Sequence, residues 1–243
     1  MGSCFSGISM TGKSKLCYWP IIAKNIGPAV ALAIGGFDWE LGPAPGDKGT
    51  GNLWAEWLEQ KPSTKWGYLP NLILPGGEVI GSELAILQFL ARKNPKLAGS
   101  NDKEFLISQE LLHQAEELYQ KFVDFVPTIL KTDKDPLKYQ TFMTSTDAMT
   151  HSDSQPALVY LDQFEAFFKT VGGSDGKFTS FGYTIGEIKL FTCLHKLALV
   201  KPGIVDGFPN LKAFMTRFDE DPKVKAVFAG PLAGKAVYFI PAP

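Results

Sequence analysis

The sequence has little cysteine, no long apolar run and no recognisable leader. Its 243 residues include three cysteines, and these form no Cys-x-x-Cys pair. An odd, small number argues against a disulfide framework and favours a reducing compartment, so we expect a cytoplasmic protein. No apolar stretch approaches the roughly 20 residues that a membrane-spanning helix needs. A signal-peptide apolar segment is also missing.

Charge of one sign is equally scarce. The formal net charge is −1, and basic and acidic residues are interspersed along the chain. Such a balance gives no support for binding nucleic acid. His151 and His195 show no metal-ligand spacing with cysteines or carboxylates, so we expect no metal site.

Apolar and aromatic residues are plentiful, at 45% and 12% of the chain, which is enough for substantial cores. Residues 1–6, MGSCFS, fit the pattern for N-myristoylation at Gly2, and Cys4 could accept a second acyl chain. Two acyl chains hold a protein at a membrane, whereas one binds marginally. The alternatives are a flexible start or a remnant of a cloning vector.

The most informative stretch is residues 67–92. Two short β-compatible runs, residues 71–74 and 78–80, flank a Pro-Gly-Gly turn and predict a hairpin. From Ser82 the apolar residues recur at helical spacing. Residues 81–83 therefore lie at a helix N-terminus, where unpaired N–H groups attract a carboxylate. Pro70, just before the hairpin, suits a sharp turn and possibly a cis peptide bond.

A strand–helix–strand unit precedes this hairpin. We predict a strand at residues 15–19, a helix at 27–34 ended by two glycines, and a second strand at 37–40. Residues 43–51 are rich in glycine and proline and predict a mobile loop.

The second half of the chain has helical character. We predict helices at residues 104–126, 156–171 and 188–200, with an irregular excursion at 132–155. Residues 184–187, TIGE, form a capping box at the start of the last of these helices.

These patterns resemble the cytosolic glutathione transferases from about residue 15 to residue 229. Residues 15–20, KLCYWP, align with the tyrosine motif of the sigma, mu, alpha and pi classes. The resemblance implies a thioredoxin-like N-terminal domain (α/β) followed by an all-α C-terminal domain. We assign residues 1–13 to a flexible segment, 14–94 to the glutathione-binding domain and 102–243 to the helical domain that forms the electrophile site.

The resemblance makes Tyr18 the residue whose hydroxyl stabilises the glutathione thiolate. The alternative for Tyr18 is an amphipathic core residue. Cys17 is the rival, because other classes use a cysteine at this place for thiol–disulfide chemistry. In a strand, however, Cys17 points to the face opposite Tyr18.

The resemblance also implies residues that hold the tripeptide. Lys24 stands where the tyrosine classes usually carry an arginine, and a lysine keeps the charge but loses the bidentate fork. Trp57 and Lys61 match a sigma-class Trp-x-x-x-Lys pattern for the glycyl carboxylate. Tyr68 replaces a common glutamine, and Leu69 would offer its backbone to the cysteinyl peptide.

Pro70 then turns the chain away from the peptide. At the following helix start, Ser82 or Glu83 could take the place of the family's serine. A Glu83 side chain could also pair with the γ-glutamyl ammonium, while backbone N–H groups bind the carboxylate.

Three further features follow from the resemblance. Trp66 occupies the place of an aromatic key that inserts into a partner subunit, so we expect a homodimer; a locally packed tryptophan is the alternative. His113 and Gln114 would face the cleft. The tail, residues 231–243, is apolar enough to cover the electrophile site or could be a loose end.

The sequence thus predicts a sigma-like glutathione transferase that conjugates glutathione, its co-substrate, to small hydrophobic electrophiles. The alternatives are a glutathione-dependent isomerase or peroxidase, and a non-catalytic ligand carrier or membrane-tethered scaffold with this fold.

Overall fold

The computed structural model of the chain describes residues 8–147 and 155–240. Residues 1–6, with the acylation motif at Gly2 and Cys4, lie outside the described residues. Most of the predicted excursion at residues 132–155 lies within the described residues.

A four-stranded sheet forms the first part of the structure. Its strand order is β3-β1-β4-β5, in which β1 is parallel to β3 and β4 is antiparallel to both β1 and β5. This arrangement contains the predicted strand–helix–strand unit followed by the predicted hairpin. The strands are β1 Ser14–Cys17, β3 Trp39–Leu41, β4 Asn71–Ile73 and β5 Val79–Gly81.

The second strand of the unit begins two residues later than predicted. The preceding helix, α1 Ile26–Gly35, ends at Gly36, whose φ of 71° is left-handed. The N–H of Phe37 then donates to the carbonyl of Leu32 and still belongs to the helix end. The chain can therefore extend only from about Trp39.

The loop at residues 43–51, which we expected to be mobile, is held by one carboxylate. Glu56 lies in α2 Leu53–Gln60, a helix that the sequence analysis did not predict. Its carboxylate accepts hydrogen bonds from the N–H groups of Gly46, Lys48 and Thr50 and from the Thr50 hydroxyl. The glycines give the loop its turns, and Glu56 fixes them.

The hairpin leads into α3 Glu83–Lys93, and the rest of the chain is mainly helical. The predicted capping box is present, with the Thr184 and Glu187 side chains each accepting a hydrogen bond from the other's backbone N–H. The predicted excursion contains a short helix, α5 Pro136–Thr144. The helices are α4 Asp102–Phe125, α5 Pro136–Thr144, α6 Ala157–Thr170, α7 Ile185–Val200, α8 Pro209–Glu220 and α9 Pro222–Ala229.

The C-terminal tail returns to the sheet part of the molecule. The short strand β6 Ala236–Val237 pairs in parallel with β2 Ile21–Ile22, which follows β1. The N–H of Ile129 also donates to the carbonyl of Tyr238. The tail is therefore fixed over the boundary between the two parts of the chain.

The hydrophobic core runs without a break from the sheet to the helices. Buried residues from β1, α1 and α3 pack in the same cluster as those from α4, α7 and α8. For convenience, residues 14–94 are called the sheet half and residues 102–240 the helical half; their division into two domains stays a prediction. Among the described residues, no helix is both long and apolar enough to span a bilayer.

Candidate active site

Tyr18 follows β1 at the point where the chain leaves the sheet. Its hydroxyl oxygen accepts a hydrogen bond from the backbone N–H of Lys24 at 3.2 Å. The turn between them is held by the Asn25 side chain, which accepts from the N–H of Ala23 and donates to the carbonyl of Ile21. A buried asparagine thus shapes the segment that places a donor against the phenol.

The Tyr18 side chain lines a cavity of about 370 Å³ between the two halves, here called the Tyr18 cavity. Most of its wall is apolar. The wall is formed by Tyr18, Trp19, Pro20, Ile21, Lys24, Leu53, Trp54, Tyr119, Val123, Ile129, Leu130 and Tyr238. The tail residue Tyr238 covers this cavity, as the sequence led us to consider.

The Tyr18 phenol remains protonated at neutral pH. Burial raises the pKa of Tyr18 well above its usual value, and the hydrogen bond from the Lys24 N–H opposes this only in part. Within the described chain the hydroxyl proton has no acceptor, so it can be donated to a bound anion.

Cys17 is the last residue of β1 and directly precedes Tyr18. Its side chain is buried against Trp57 and Leu69. Burial raises the pKa of the Cys17 thiol to about 11. The thiolate, which is the nucleophilic form, is therefore scarce at neutral pH.

Trp57 and Lys61 are placed differently from each other. Trp57 is buried, with its ring centroid 5.2 Å from that of Trp19. Lys61 begins a 3₁₀ turn, Lys61–Ser63, and is exposed. The lysine can meet a ligand from solvent, whereas the tryptophan packs with Cys17 and Leu69.

The Leu69–Pro70 peptide bond is cis, as the sequence suggested. The Pro70 carbonyl accepts from the N–H of Ser82 at 3.1 Å, while Tyr68 is half exposed. In the described part of the chain, neither the N–H nor the C=O of Leu69 has a hydrogen-bond partner. An extended ligand could therefore pair with this peptide as a strand does.

Ser82 and Glu83 occupy distinct positions at the start of α3. Ser82 is the N-cap residue, has a φ of 81° and makes no side-chain capping bond. Glu83 is the first helical residue and is 1% exposed. Its carboxylate lies 2.7 Å from the ammonium of Lys189 in α7. The other Glu83 carboxylate oxygen has no hydrogen-bond partner among the described residues, so its pairing with a γ-glutamyl ammonium stays a prediction.

Glu83 belongs to a group of ionised side chains that we call the buried charge cluster. The Glu116 carboxylate, on α4, lies 2.8 Å from the Lys24 ammonium and 2.5 Å from that of Lys189. A fifth member, Lys196, is fully buried on α7, and its ammonium has no hydrogen-bond partner among the residues that the structure describes. The cluster consists of Lys24, Glu83, Glu116, Lys189 and Lys196.

These pairings shift the pKa values of the cluster members in different directions. Burial alone would raise the pKa of Glu116, but the ammonium groups of Lys189 and Lys24 outweigh it and lower the pKa to about 2. The two carboxylates likewise overcome burial at Lys189 and raise its pKa. Burial dominates at Lys196 and lowers its pKa to about 8.

The sequence analysis did not identify Glu116, Lys189 or Lys196. A signal was present, because Lys189 and Lys196 are seven residues apart in an otherwise nearly apolar helix. Such a spacing places both lysines on one face of the helix.

Three other expected residues lie away from the Tyr18 cavity. His113 and Gln114 line a separate cavity of about 710 Å³ between α4 and α6, so the expectation that they face the cleft was wrong. Trp66 is 64% exposed. Within the described ranges, no cluster of histidine, cysteine or acidic side chains is arranged to hold a metal ion.

Comparison with known proteins agrees with this architecture. Residues 138–230 match the C-terminal domain of glutathione S-transferases. The chain is 27% identical over 177 residues to glutathione S-transferase Mu 5 of Mus musculus, covering 71% of this chain and 68% of that protein. It is 28% identical over 171 residues to glutathione S-transferase P of Caenorhabditis elegans, covering 70% and 74%.

Solved structures share the fold. The Pi-class glutathione S-transferase of Onchocerca volvulus has a TM-score of 0.69 at 23% identity, over 87% of this chain and 90% of that one. Prostaglandin synthase D of Nilaparvata lugens has a TM-score of 0.68 at 19% identity, over 88% and 96%. The C-terminal part of the chain and its relatives are thus similar to glutathione S-transferases, and its fold is the one that solved glutathione S-transferases have.

Proposed function

We propose that this protein conjugates the glutathione thiolate to small hydrophobic electrophiles and that Tyr18 stabilises the thiolate. The observation that carries the proposal is that Tyr18 lines the Tyr18 cavity with a protonated phenol, for whose proton the described residues offer no acceptor. A phenol in this state is a hydrogen-bond donor for an anionic sulfur.

The chemistry requires the thiolate, because the neutral thiol is a poor nucleophile. A free thiol has a pKa near 8.5, so a donor that lowers the pKa by one or two units greatly increases the anion at neutral pH. On binding, the thiol proton passes to solvent. The sulfur electron pair then forms the new bond to carbon, and either a leaving group departs with its bonding electrons or the adduct takes up a proton.

Several groups are placed to hold the tripeptide. The unpaired peptide of Leu69 supports strand-like pairing with the cysteinyl residue, and the cis Pro70 keeps it accessible. The N–H groups of the first turn of α3, after Ser82, suit the γ-glutamyl carboxylate because no side chain caps them. Tyr68 is exposed beside this segment.

Two lysines supply positive charge at the ends of the proposed binding site. Lys61 is exposed and would pair with the glycyl carboxylate. Lys24 lines the Tyr18 cavity, and its ammonium also pairs with Glu116. Lys24 therefore contributes a positive field close to Tyr18 rather than a free ammonium.

The electrophile would occupy the apolar part of the Tyr18 cavity. Trp54 and Leu130 are 62% and 77% exposed at its edge, on opposite halves of the molecule. Apolar side chains exposed on two sides of a cavity favour a hydrophobic second substrate.

We assign the protein to the tyrosine-type enzymes with a sigma-like site because of the sequence KLCYWP at residues 15–20 and the Trp57–Lys61 spacing. We also propose a cytoplasmic homodimer in which the exposed Trp66 contacts the partner subunit. Acylation at Gly2 and Cys4 would add membrane association.

The test is a comparison of wild type with Tyr18→Phe. We expect both to be retained on immobilised glutathione, because the phenol contacts only the sulfur. With an electrophilic aromatic substrate, kcat/KM near neutral pH should fall about 10- to 100-fold in Tyr18→Phe, and the pKa of the bound thiol should rise by one to two units.

Tyr139→Phe is the matched control. It removes a phenolic hydroxyl on a residue that does not line the Tyr18 cavity, and it should leave kcat/KM unchanged. A wild type that binds glutathione but conjugates no electrophile, reduces no peroxide and isomerises no substrate would be a carrier, which contradicts the proposal.

A further inference from the structure

The buried charge cluster carries a positive charge that no group in the described chain balances. It contains three ammonium groups but only two carboxylates. Lys24 and Lys189 share the carboxylates of Glu83 and Glu116, and Lys196 is left without an ion pair or a hydrogen bond. A buried ammonium in this state is costly, because contact with an aromatic ring offsets only part of the desolvation.

Tyr119 connects the cluster to the Tyr18 cavity. The ammonium groups of Lys24, Lys189 and Lys196 lie 4.7, 4.7 and 4.6 Å from the centroid of its ring. The same tyrosine lines the Tyr18 cavity beside Tyr18. The ammonium of Lys196 therefore contacts a ring that also forms part of the cavity wall.

The degree of burial makes this charge effective. Lys189, Lys196 and Glu83 are 0%, 0% and 1% exposed, so water and salt screen them weakly. Lys24 is the cluster member on the cavity wall, and it also provides the N–H that donates to the Tyr18 hydroxyl. Lys24 thus links the positive charge of the cluster to the environment of the Tyr18 hydroxyl.

We infer that the missing counter-charge of the buried cluster is the anionic sulfur bound in the Tyr18 cavity, and that Lys196 is a positioning residue that stabilises this anion from a distance. The inference rests on the proposed function, because it takes glutathione as the occupant. This inference gives a function to a fully buried lysine on a helix that otherwise packs mainly apolar side chains.

The protonation state of Lys196 sets the pH range of the effect. Burial lowers the pKa of Lys196 to about 8, so the charge is present at neutral pH and is lost above that value. The Cys193 thiol donates to the Ala115 carbonyl and stays neutral, since burial raises its pKa. The titratable or charged groups of the described chain that act on Lys196 include Lys189, Cys193 and His195 on α7, Tyr119 on α4, Glu83 on α3 and Lys24 before α1.

The experiment titrates the thiol of glutathione bound to Lys196→Met, using the ultraviolet absorption of the thiolate. We expect the pKa of the bound thiol to rise by about half a unit or more, which means about threefold less thiolate below that pKa. The acidic limb of the pH profile of kcat/KM should move by the same amount. The Tm should not fall, because an unpaired buried cation has been replaced by an apolar side chain of similar length.

Lys225→Met is the control for net charge, since Lys225 is exposed on α9 and its loss should leave the thiol pKa unchanged. Lys196→Gln, which keeps a polar head without a charge, should reproduce the pKa shift. An unaltered thiol pKa in Lys196→Met would overturn the inference. Failure of both Lys196 variants to fold would overturn it as well, since the ammonium would then be needed for structure.

The two proposals fail in distinguishable ways. Normal turnover that depends on Tyr18, with no response of the thiol pKa to Lys196→Met, would leave the proposed function intact and remove only the role of Lys196. A wild type that does not bind glutathione would contradict the proposed function itself.

Discussion

The ammonium of Lys189 lies 2.7 Å from a carboxylate oxygen of Glu83, and neither side chain is exposed to solvent. One residue is in the sheet half and the other in the helical half, so the pair joins the two. Gly27 leaves room for it, because a Cβ there would lie 2.9 Å from the other Glu83 oxygen.

Breaking this pair from one side should strongly destabilise the protein. Lys189→Met leaves Glu83 and Glu116 with fewer positive partners in a buried site, and we expect a loss of about 3–5 kcal/mol in the free energy of unfolding. The double variant Lys189→Met/Glu83→Gln should lose less than the sum of the two single variants, because one buried charge no longer lacks its partner. Denaturant unfolding of all four proteins measures the coupling, and additive losses would show that the two groups do not interact.

The position of Tyr18 could be predicted from sequence, whereas the surroundings of Glu83 could not. Tyr18 follows a strand and precedes a proline, and these local features fix where its side chain emerges. The side-chain direction of Glu83 depends on Lys189, which is 106 residues away in sequence. Local sequence patterns do not show which distant side chain will form an ion pair with a given carboxylate.

The helices and the hairpin were predictable for the same reason, since apolar periodicity and capping residues are local. The sequence analysis missed the short helix α2, although Asn52 caps it and Trp54, Trp57 and Leu58 recur at helical spacing. Helix α2 holds the loop at residues 43–51 through Glu56. The Glu56 side chain binds mainly backbone N–H groups, and the sequence does not show which backbone groups a side chain will contact.

The loop at residues 43–51 should loosen in acid. Hydrogen bonds from the Thr50 hydroxyl and from three backbone N–H groups lower the pKa of Glu56 to about 2 from an ordinary value of 4.5. A depressed carboxyl pKa means that the stabilising contribution is complete above about pH 4.5 and is lost as the pH falls toward 2.

Amide hydrogen exchange measures this loosening. Protection of the Gly46, Lys48 and Thr50 amides should decrease over that pH range, and Glu56→Gln should show reduced protection even at pH 7. Glu78→Gln removes a carboxylate from the hairpin turn and serves as the control, with no effect expected at these amides. Equal protection in Glu56→Gln and wild type would mean that the loop is held by other contacts.

Cys17 should be dispensable for conjugation. Because burial raises the pKa of its thiol to about 11, little thiolate is present at pH 7. We expect Cys17→Ala to keep kcat/KM within about twofold of wild type and to lose about 1 kcal/mol of stability from the small cavity created. Conjugation kinetics and denaturant unfolding test the two parts separately. A loss of activity larger than tenfold, without unfolding, would instead support a cysteine-based reaction.

Trp66 and Trp54 should separate subunit association from substrate binding. The two indoles are similarly exposed, at 64% and 62%, but only Trp54 lines the Tyr18 cavity. We expect Trp66→Ala to weaken a homodimer at least tenfold in sedimentation equilibrium, because aromatic anchors commonly contribute 2 kcal/mol or more to an interface. Trp54→Ala should leave the dimer unchanged and raise KM for a hydrophobic electrophile several-fold. A wild type that sediments as a monomer would show that Trp66 does not hold a homodimer together. A Trp66→Ala protein that dimerises as tightly as wild type would show the same.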